Sequence, residues 1–180
     1  MKPLVFCLLL TVTCSRSFAQ ETPERHSRVD VIDYQYQLQL SDRDDTLRGA
    51  AVIEAIVLRG DSLLLDLHGP DAQGKGMLVT EVTIGETPVP FRQHAEWIAI
   101  PVSNNGRHIM ELQYKGIPAD GLIIARNKYN RRCFFADNWP NRAHHWIPCV
   151  DNPADKASVE FLITAPELYQ VVSNGIKTEE

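Results

Sequence analysis

The sequence predicts an all-β domain, an antiparallel β-sandwich, on three observations. The early chain alternates strictly between apolar and polar residues, short apolar runs follow one another closed by turn-forming residues, and no stretch repeats with helical periodicity. At 180 residues there is enough chain for one domain with a real core. With 44% hydrophobic and 23% charged residues the composition is that of a globular chain and excludes intrinsic disorder.

The first nineteen positions stand apart. Met1-Lys2 gives a positive start, Leu4 to Val12 an apolar run, and Ser17-Phe18-Ala19 a small-x-small cleavage pattern, so residues 1–19 read as a signal peptide. The run is about ten residues, half of the ~20 that a spanning helix needs, which argues against a membrane anchor. Lipidation of Cys14 is the alternative, though Thr11-Val12-Thr13 is not the Leu-led box that usually precedes such a cysteine. The mature chain is therefore expected to be exported, periplasmic or extracellular, and off the membrane after cleavage. Removing Lys2 and Arg16 from the 18 basic residues leaves 16 against 23 acidic, which gives no footing for nucleic acid. Cys7 and Cys14 depart with the leader, leaving Cys133 and Cys149. An oxidising compartment permits a bridge between them, and two separate buried thiols is the plainer reading.

A polar lead-in covers residues 20–28, and the β domain then runs over 29–180. In DYQYQLQL, Tyr34, Tyr36, Leu38 and Leu40 share one face and Gln35, Gln37 and Gln39 the other, the mark of a half-buried strand. Ser41 to Asp45 supply turn-forming side chains, and Leu47 to Leu58 reads as the antiparallel partner in a hairpin. Further strands are expected over Ser62 to Leu67, Met77 to Ile84, Val89 to Phe91, Trp97 to Val102 and His108 to Tyr114. Gly85-Glu86-Thr87 and Asn104-Asn105-Gly106 are the clearest turns between them. Gly74-Lys75-Gly76 lacks P-loop spacing and a following helix, and reads as a surface loop. From Gly116 to Ala157 alternation gives way to a segment dense in Pro, Asn, Asp, Arg and aromatic residues. It is expected to be an irregular, ordered surface in which Phe134, Phe135, Trp139 and Trp146 pack against a partner surface.

Three stretches carry a resemblance: YKGIPADGL (Tyr114 to Leu122), WIPCVDNPADKASVEF (Trp146 to Phe161) and VVSNG (Val171 to Gly175). In that order, with Pro148, Cys149, Asp151, Pro153, Lys156 and Ala157 as the most specific positions, the chain resembles the N-terminal domain of the aminopeptidase N family of zinc metallopeptidases, which includes leukotriene hydrolase-like members. Gly49 and Leu65-Asp66-Leu67 fit as well, so the resemblance extends from about Val31 to Gly175. It implies a saddle-shaped antiparallel domain that packs on a thermolysin-like catalytic domain and walls one side of its cleft. The partners it implies are that catalytic domain, in the same polypeptide, and a peptide substrate; the cofactor of the complete enzyme is Zn. It also implies further strands after Ser173-Asn174-Gly175, so the sandwich is expected to lack its last strands.

The family's G-x-M-E-N and H-E-x-x-H motifs are not in this sequence, since no His is followed by Glu and Met110-Glu111 continues with Leu112. A catalytic zinc requires three fixed protein ligands and an open position for water. His144-His145 is the one tempting pair, but adjacent residues diverge on strand or helix alike, and His26, His68, His94 and His108 read as scattered surface singles. No metal site and no catalytic residue is expected in this chain. The resemblance does imply one functional element, because family members place Gln-x-Glu ahead of the Pro-Cys-x-Asp box to hold the substrate's α-ammonium. The corresponding positions are Asp137 and Trp139, and Asp137, Asn138 and Trp139 form the candidate substrate-binding loop. Asp137 can accept a bond from an amine, whereas Trp139 offers a ring face. The alternative is that Asp137 caps a turn and Trp139 is core. Asp151 and Lys156 are read as shaping a turn and pairing with neighbours, and Arg126, Arg131, Arg132 and Arg142 as facing a peptide carboxylate or the neighbouring domain. Two functions remain open at this level: the noncatalytic N-terminal domain of an exported zinc aminopeptidase, or a noncatalytic β-sandwich binding module derived from one.

Overall fold

The structure is a computed structural model and describes residues 25–178. The signal peptide expected over 1–19, with Cys7 and Cys14, and the lead-in up to residue 24 lie outside the described residues. Strands β1 (Val29–Gln39) and β2 (Leu47–Val57) form the expected hairpin. In its turn Ser41 Oγ and Asp44 Oδ1 accept from the Arg43 and Thr46 amides at 3.0 and 2.9 Å. A bulge between Val31 and Asp33 shifts the buried set of β1 from Val29 and Val31 to Tyr34, Tyr36 and Leu38, which is why clean alternation begins only at Tyr34.

Strands β3 (Ser62–Asp66), β4 (Gly76–Ile84), β5 (Thr87–Pro88), β6 (Arg92–Gln93), β7 (Trp97–Pro101) and β8 (Gly106–Ile117) follow. A second bulge, between Val79 and Glu81, moves the buried face of β4 from Met77 and Val79 to Val82. Gly85 and Glu86 both have positive φ, 54° and 66°, and make the tight turn from β4 to β5. The strand expected over Val89 to Phe91 does not form: Pro88 and Pro90 remove amide donors on either side of Val89, and the segment links β5 to β6.

The expectation of an irregular segment after Gly116 is corrected. Strand β8 runs on to Ile117, β9 (Leu122–Arg126) and β10 (Arg132–Ala136) form a hairpin, Ala143–His145 is a 3₁₀ turn, and β11 (Ser158–Thr164) is a strand. Strand β11 lies parallel to β1, with Phe161 beside Tyr36, so one pairing departs from the antiparallel pattern. A parallel neighbour needs no turn between its strands and leaves no local mark in sequence.

The large sheet has the order β11-β1-β2-β8-β4-β5, and smaller sheets are β3-β7-β6 and β10-β9. One core joins the inner faces of β1, β2, β4 and β8 to Leu63, Leu65, Ile98 and Ile100 of the three-stranded sheet and to Trp146–Val150. Trp146 is thus part of this domain's own core rather than a surface for a partner.

Candidate functional site

Strand β10 leads directly into the loop at 137–142. The Asp137 amide donates to Gly121 O at 2.7 Å, tying the loop to the base of the β9–β10 hairpin. Gly121 has φ +74°, and a Cβ there would stand 2.1 Å from Arg142 O, so only glycine admits this approach. Arg142 then clamps the loop. Its Nη2 pairs with Asp137 Oδ2, its Nη1 lies 3.4 Å from Asp120 Oδ1, and its Nε donates to Trp139 O at 2.7 Å.

The three candidate residues divide into two roles. Asp137 is engaged by Arg142 through Oδ2, and its Oδ1 accepts only a long 3.4 Å bond from Trp139 N. Asn138 Oδ1 accepts from Trp146 Nε1 at 2.9 Å, and its carbonyl accepts from Arg142 N at 3.0 Å. Trp139 is 78% exposed, so the alternative that it is core does not hold, while Asp137 does face the turn amide of Trp139. Asp137 and Asn138 hold the loop on the domain, and Trp139 projects from it.

The box that follows is a structural keystone. Tyr36 OH donates to Pro148 O at 2.7 Å and Tyr34 OH accepts from Val150 N at 2.9 Å. Cys149 exchanges backbone bonds with Asp66, at 2.7 and 3.1 Å. Both described cysteines are free thiols: Cys149 is buried, where burial and the nearby Asp151 and Asp66 push its pKa well up, and Cys133 is half-buried. Asp66 is buried, bonded to His26 Nε2 at 2.6 Å, to Arg25 Nη2 at 3.3 Å and to the Asp151 amide at 3.0 Å. Burial acts most strongly to raise the Asp66 pKa, but the His26 bond, the Asp151 amide and the charges of His26 and Arg25 together hold it below the usual carboxylate value.

Asp151 shapes its turn as expected, accepting from His144 Nδ1 at 2.7 Å and from the His144 amide at 3.2 Å. Lys156, expected to pair, is exposed and makes no ion pair with the described residues. Of the four histidines read as scattered surface singles only His108 stands alone among the described residues, its Nε2 2.9 Å from Asn104 O. His26 is tied to Asp66, His94 stacks on Trp97 at 3.8 Å, and His68, His144 and His145 gather around Glu96. His68 Nδ1 is 3.1 Å from the Glu96 carboxylate and His144 Nε2 3.6 Å, while the His145 ring lies 5.0 Å from that of His68 and 4.3 Å from that of His144. Burial lowers His144's affinity for a proton, but its bond and charge contact with Asp151, with Asp66 and Glu96 beyond, raise its pKa overall. Burial and the neighbouring His144 and His68 lower that of His145. Among the described residues no group of three or more His, Cys, Asp or Glu is arranged to hold a metal ion, and no chemical step is assigned to a metal here.

Sequence reading missed the Arg142 clamp and the web around Asp66. The Asp66 web joins residues some forty positions apart, and the clamp, though it reaches Asp137 and Trp139 within five positions, is completed by Asp120 on the far side of the hairpin, so no local pattern announces either.

Compared with known proteins, residues 31–180 match the Peptidase M1 N-terminal domain. No curated protein matches. Among solved structures, the chain is similar to an M1 zinc metallopeptidase from Deinococcus radiodurans, at 20% identity and TM-score 0.59, over 74% of this chain and 31% of that one. It is similar to native yeast LTA4 hydrolase at 18% identity and TM-score 0.63, over 76% of this chain and 23% of that one. A two-domain M1 zinc metallopeptidase bound to L-arginine aligns at 18% identity and TM-score 0.68, over 84% and 36%. The chain spans about a quarter to a third of the length of these structures, and at such identities the likeness is one of fold. Together with the domain match over most of its length, it makes this chain a member of the M1 family of zinc metallopeptidases, carrying that family's N-terminal domain.

Proposed function

We propose that this chain is the peptide-facing β wall of an exported zinc aminopeptidase, with the loop Asp137–Trp139 directed at the amino terminus of the substrate. The observation that carries this reading is the division of labour in the loop, where Arg142 fixes the backbone and Trp139 stands 78% exposed. An exposed tryptophan on a braced loop is a ready contact for a ligand, since its ring face attracts a cation and packs equally well on an apolar side chain. Asp137 keeps acceptor capacity on Oδ1, whose contact with Trp139 N is long at 3.4 Å. A charge-assisted bond from the α-ammonium to that oxygen gains strength in a partly desolvated cleft. Peptide hydrolysis itself belongs to a zinc-bearing catalytic domain in the same polypeptide. The signal-like segment at 1–19 supports the exported part of the reading.

The test is kinetic. In the protein joined to its zinc-bearing half, Asp137→Ala is expected to lower kcat/KM on aminoacyl substrates by about tenfold or more, equivalent to about 1.4 kcal/mol of transition-state binding. A change within about twofold would show that Asp137 does not meet the amine.

A further inference from the structure

The β9–β10 hairpin carries a concentration of positive charge that the loop chemistry leaves unused. Between Gly121 and Ala136 stand Arg126, Lys128, Arg131 and Arg132 without one Asp or Glu, in a chain whose net charge is −5. Arg132 is neutralised by Asp45 and donates to Asp44 O at 2.7 Å. Arg126, Lys128 and Arg131 make no ion pair with the described residues; Arg126 Nη1 donates to Asn130 O at 2.8 Å and Lys128 Nζ lies 4.9 Å over the Tyr129 ring. The turn that bears them is preformed. Asn127 Oδ1 accepts from the amides of Tyr129 and Arg131 at 2.9 and 3.0 Å, and the Asn127 amide donates to Arg131 O at 2.8 Å.

Apolar surface connects this cationic turn to the candidate loop. Ile123 and Phe135 are direct partners in the hairpin register and so share a face, 39% and 61% exposed, and Tyr129 at the turn is 70% exposed. Strand β10 is five residues long and runs straight into Asp137. At ~3.3 Å per residue it covers about 17 Å, the length of about five residues of an extended peptide.

We propose that this hairpin is a subsite for the distal part of an acidic peptide. With the amino terminus at Asp137 and Trp139, the peptide runs past Ile123 and Phe135, and a carboxylate about five or six residues along meets Lys128 and Arg131 at the turn, Arg126 lying on the other face of the hairpin. The proposal rests on the reading of the loop given above and adds a substrate class to it. One exposed ion pair contributes little, but Lys128 and Arg131, two cations on a braced turn with no ion-pair partner among the described residues, set up a directional field for an anionic ligand. Continuity through β10 with the loop favours a peptide over an anionic membrane, which would require no such alignment.

Titration of the isotope-labelled chain by NMR separates these readings. The probes are peptides of about seven residues ending in Glu-Glu or in Lys-Lys, each with a free or an acetylated amino terminus, and phosphatidylglycerol vesicles. The Glu-ended peptides are expected to bind about fivefold to tenfold more tightly at low salt, with shifts at the Tyr129 and Arg131 amides, and to lose that advantage at high salt. The double variant Lys128→Glu with Arg131→Glu is expected to reverse the preference while leaving the fold's spectrum elsewhere unchanged. Equal affinity for the two tails, absence of binding by either, or vesicle binding abolished by the double variant without a tail preference would each overturn the proposal. A tail preference that persists when acetylation has no effect leaves the acidic subsite standing alone, while failure of the amine reading is read separately from the Asp137→Ala kinetics.

Discussion

Tyr114 stands directly opposite Gly49 across β2 and β8, and its ring fills the space that a side chain on Gly49 would occupy. A Cβ there would lie 2.3 Å from Tyr114 Cζ, well inside any tolerable contact. Both residues are buried, so neither can swing into solvent. Gly49→Ala is therefore expected to destabilise the domain by about 1–3 kcal/mol, read as a lower urea midpoint. Adding Tyr114→Leu should recover part of that loss, and additive effects would show that the two residues do not compete for the same space.

The bond from Tyr36 OH to Pro148 O joins the first strand to the box that defines the family resemblance. Tyr36→Phe leaves a buried carbonyl without its donor and is expected to lower stability by about 1–2 kcal/mol by chemical denaturation. A loss indistinguishable from zero would mean that the carbonyl finds another partner.

The two shifted imidazoles titrate in opposite directions. His144 has a raised pKa in the folded state, so its contribution to stability is complete below the ordinary histidine value of ~6.5 and is lost as pH rises through the raised value. His145 has a lowered pKa, so its neutral form is favoured in the fold and stability falls as acid forces a proton onto it. Asp66, with its lowered pKa, contributes above the ordinary carboxylate value of ~3.9 and loses that contribution as pH falls through its folded pKa. Ring NMR titration is expected to place His144 above ~6.5 and His145 below it, and His144→Gln to remove the alkaline decline in stability. Coincident titration of both rings would contradict the arrangement around Asp151 and Glu96.

With both thiols free, alkylation of the folded chain is expected to label Cys133, which is half-buried, and to spare Cys149 until denaturant is added. Mass spectrometry after non-reducing digestion should recover no peptide pair linked through the two. A linked pair would require rearrangement of the box against Asp66.

The sequence made the large sheet legible where strands alternate cleanly, as from Tyr34 to Leu38, and lost it where they do not. The bulges after Val31 and Val79 reverse the buried face within a strand, which local periodicity reads as an interruption. Strands β9 and β10 are short, and Ile123 and Phe135 point apolar side chains outward while Arg126 and Arg132 break the pattern, so the hairpin resembled a loop. At the candidate site, Asp137, Asn138 and Trp139 were found through resemblance. Their separation into two braces and one projecting ring depends on Arg142 and Trp146, whose contacts form only once the chain has turned back at Pro140.

The most direct measurement of the proposed wall-and-anchor role is a crystal structure of this chain joined to the proposed zinc-bearing catalytic domain, with a free amino acid or short peptide bound. The expected result is an ammonium nitrogen about 3 Å from Asp137 Oδ1 or within about 6 Å of the Trp139 ring centroid. A ligand amine held wholly by the catalytic half, with Trp139 turned to bulk solvent, would contradict it.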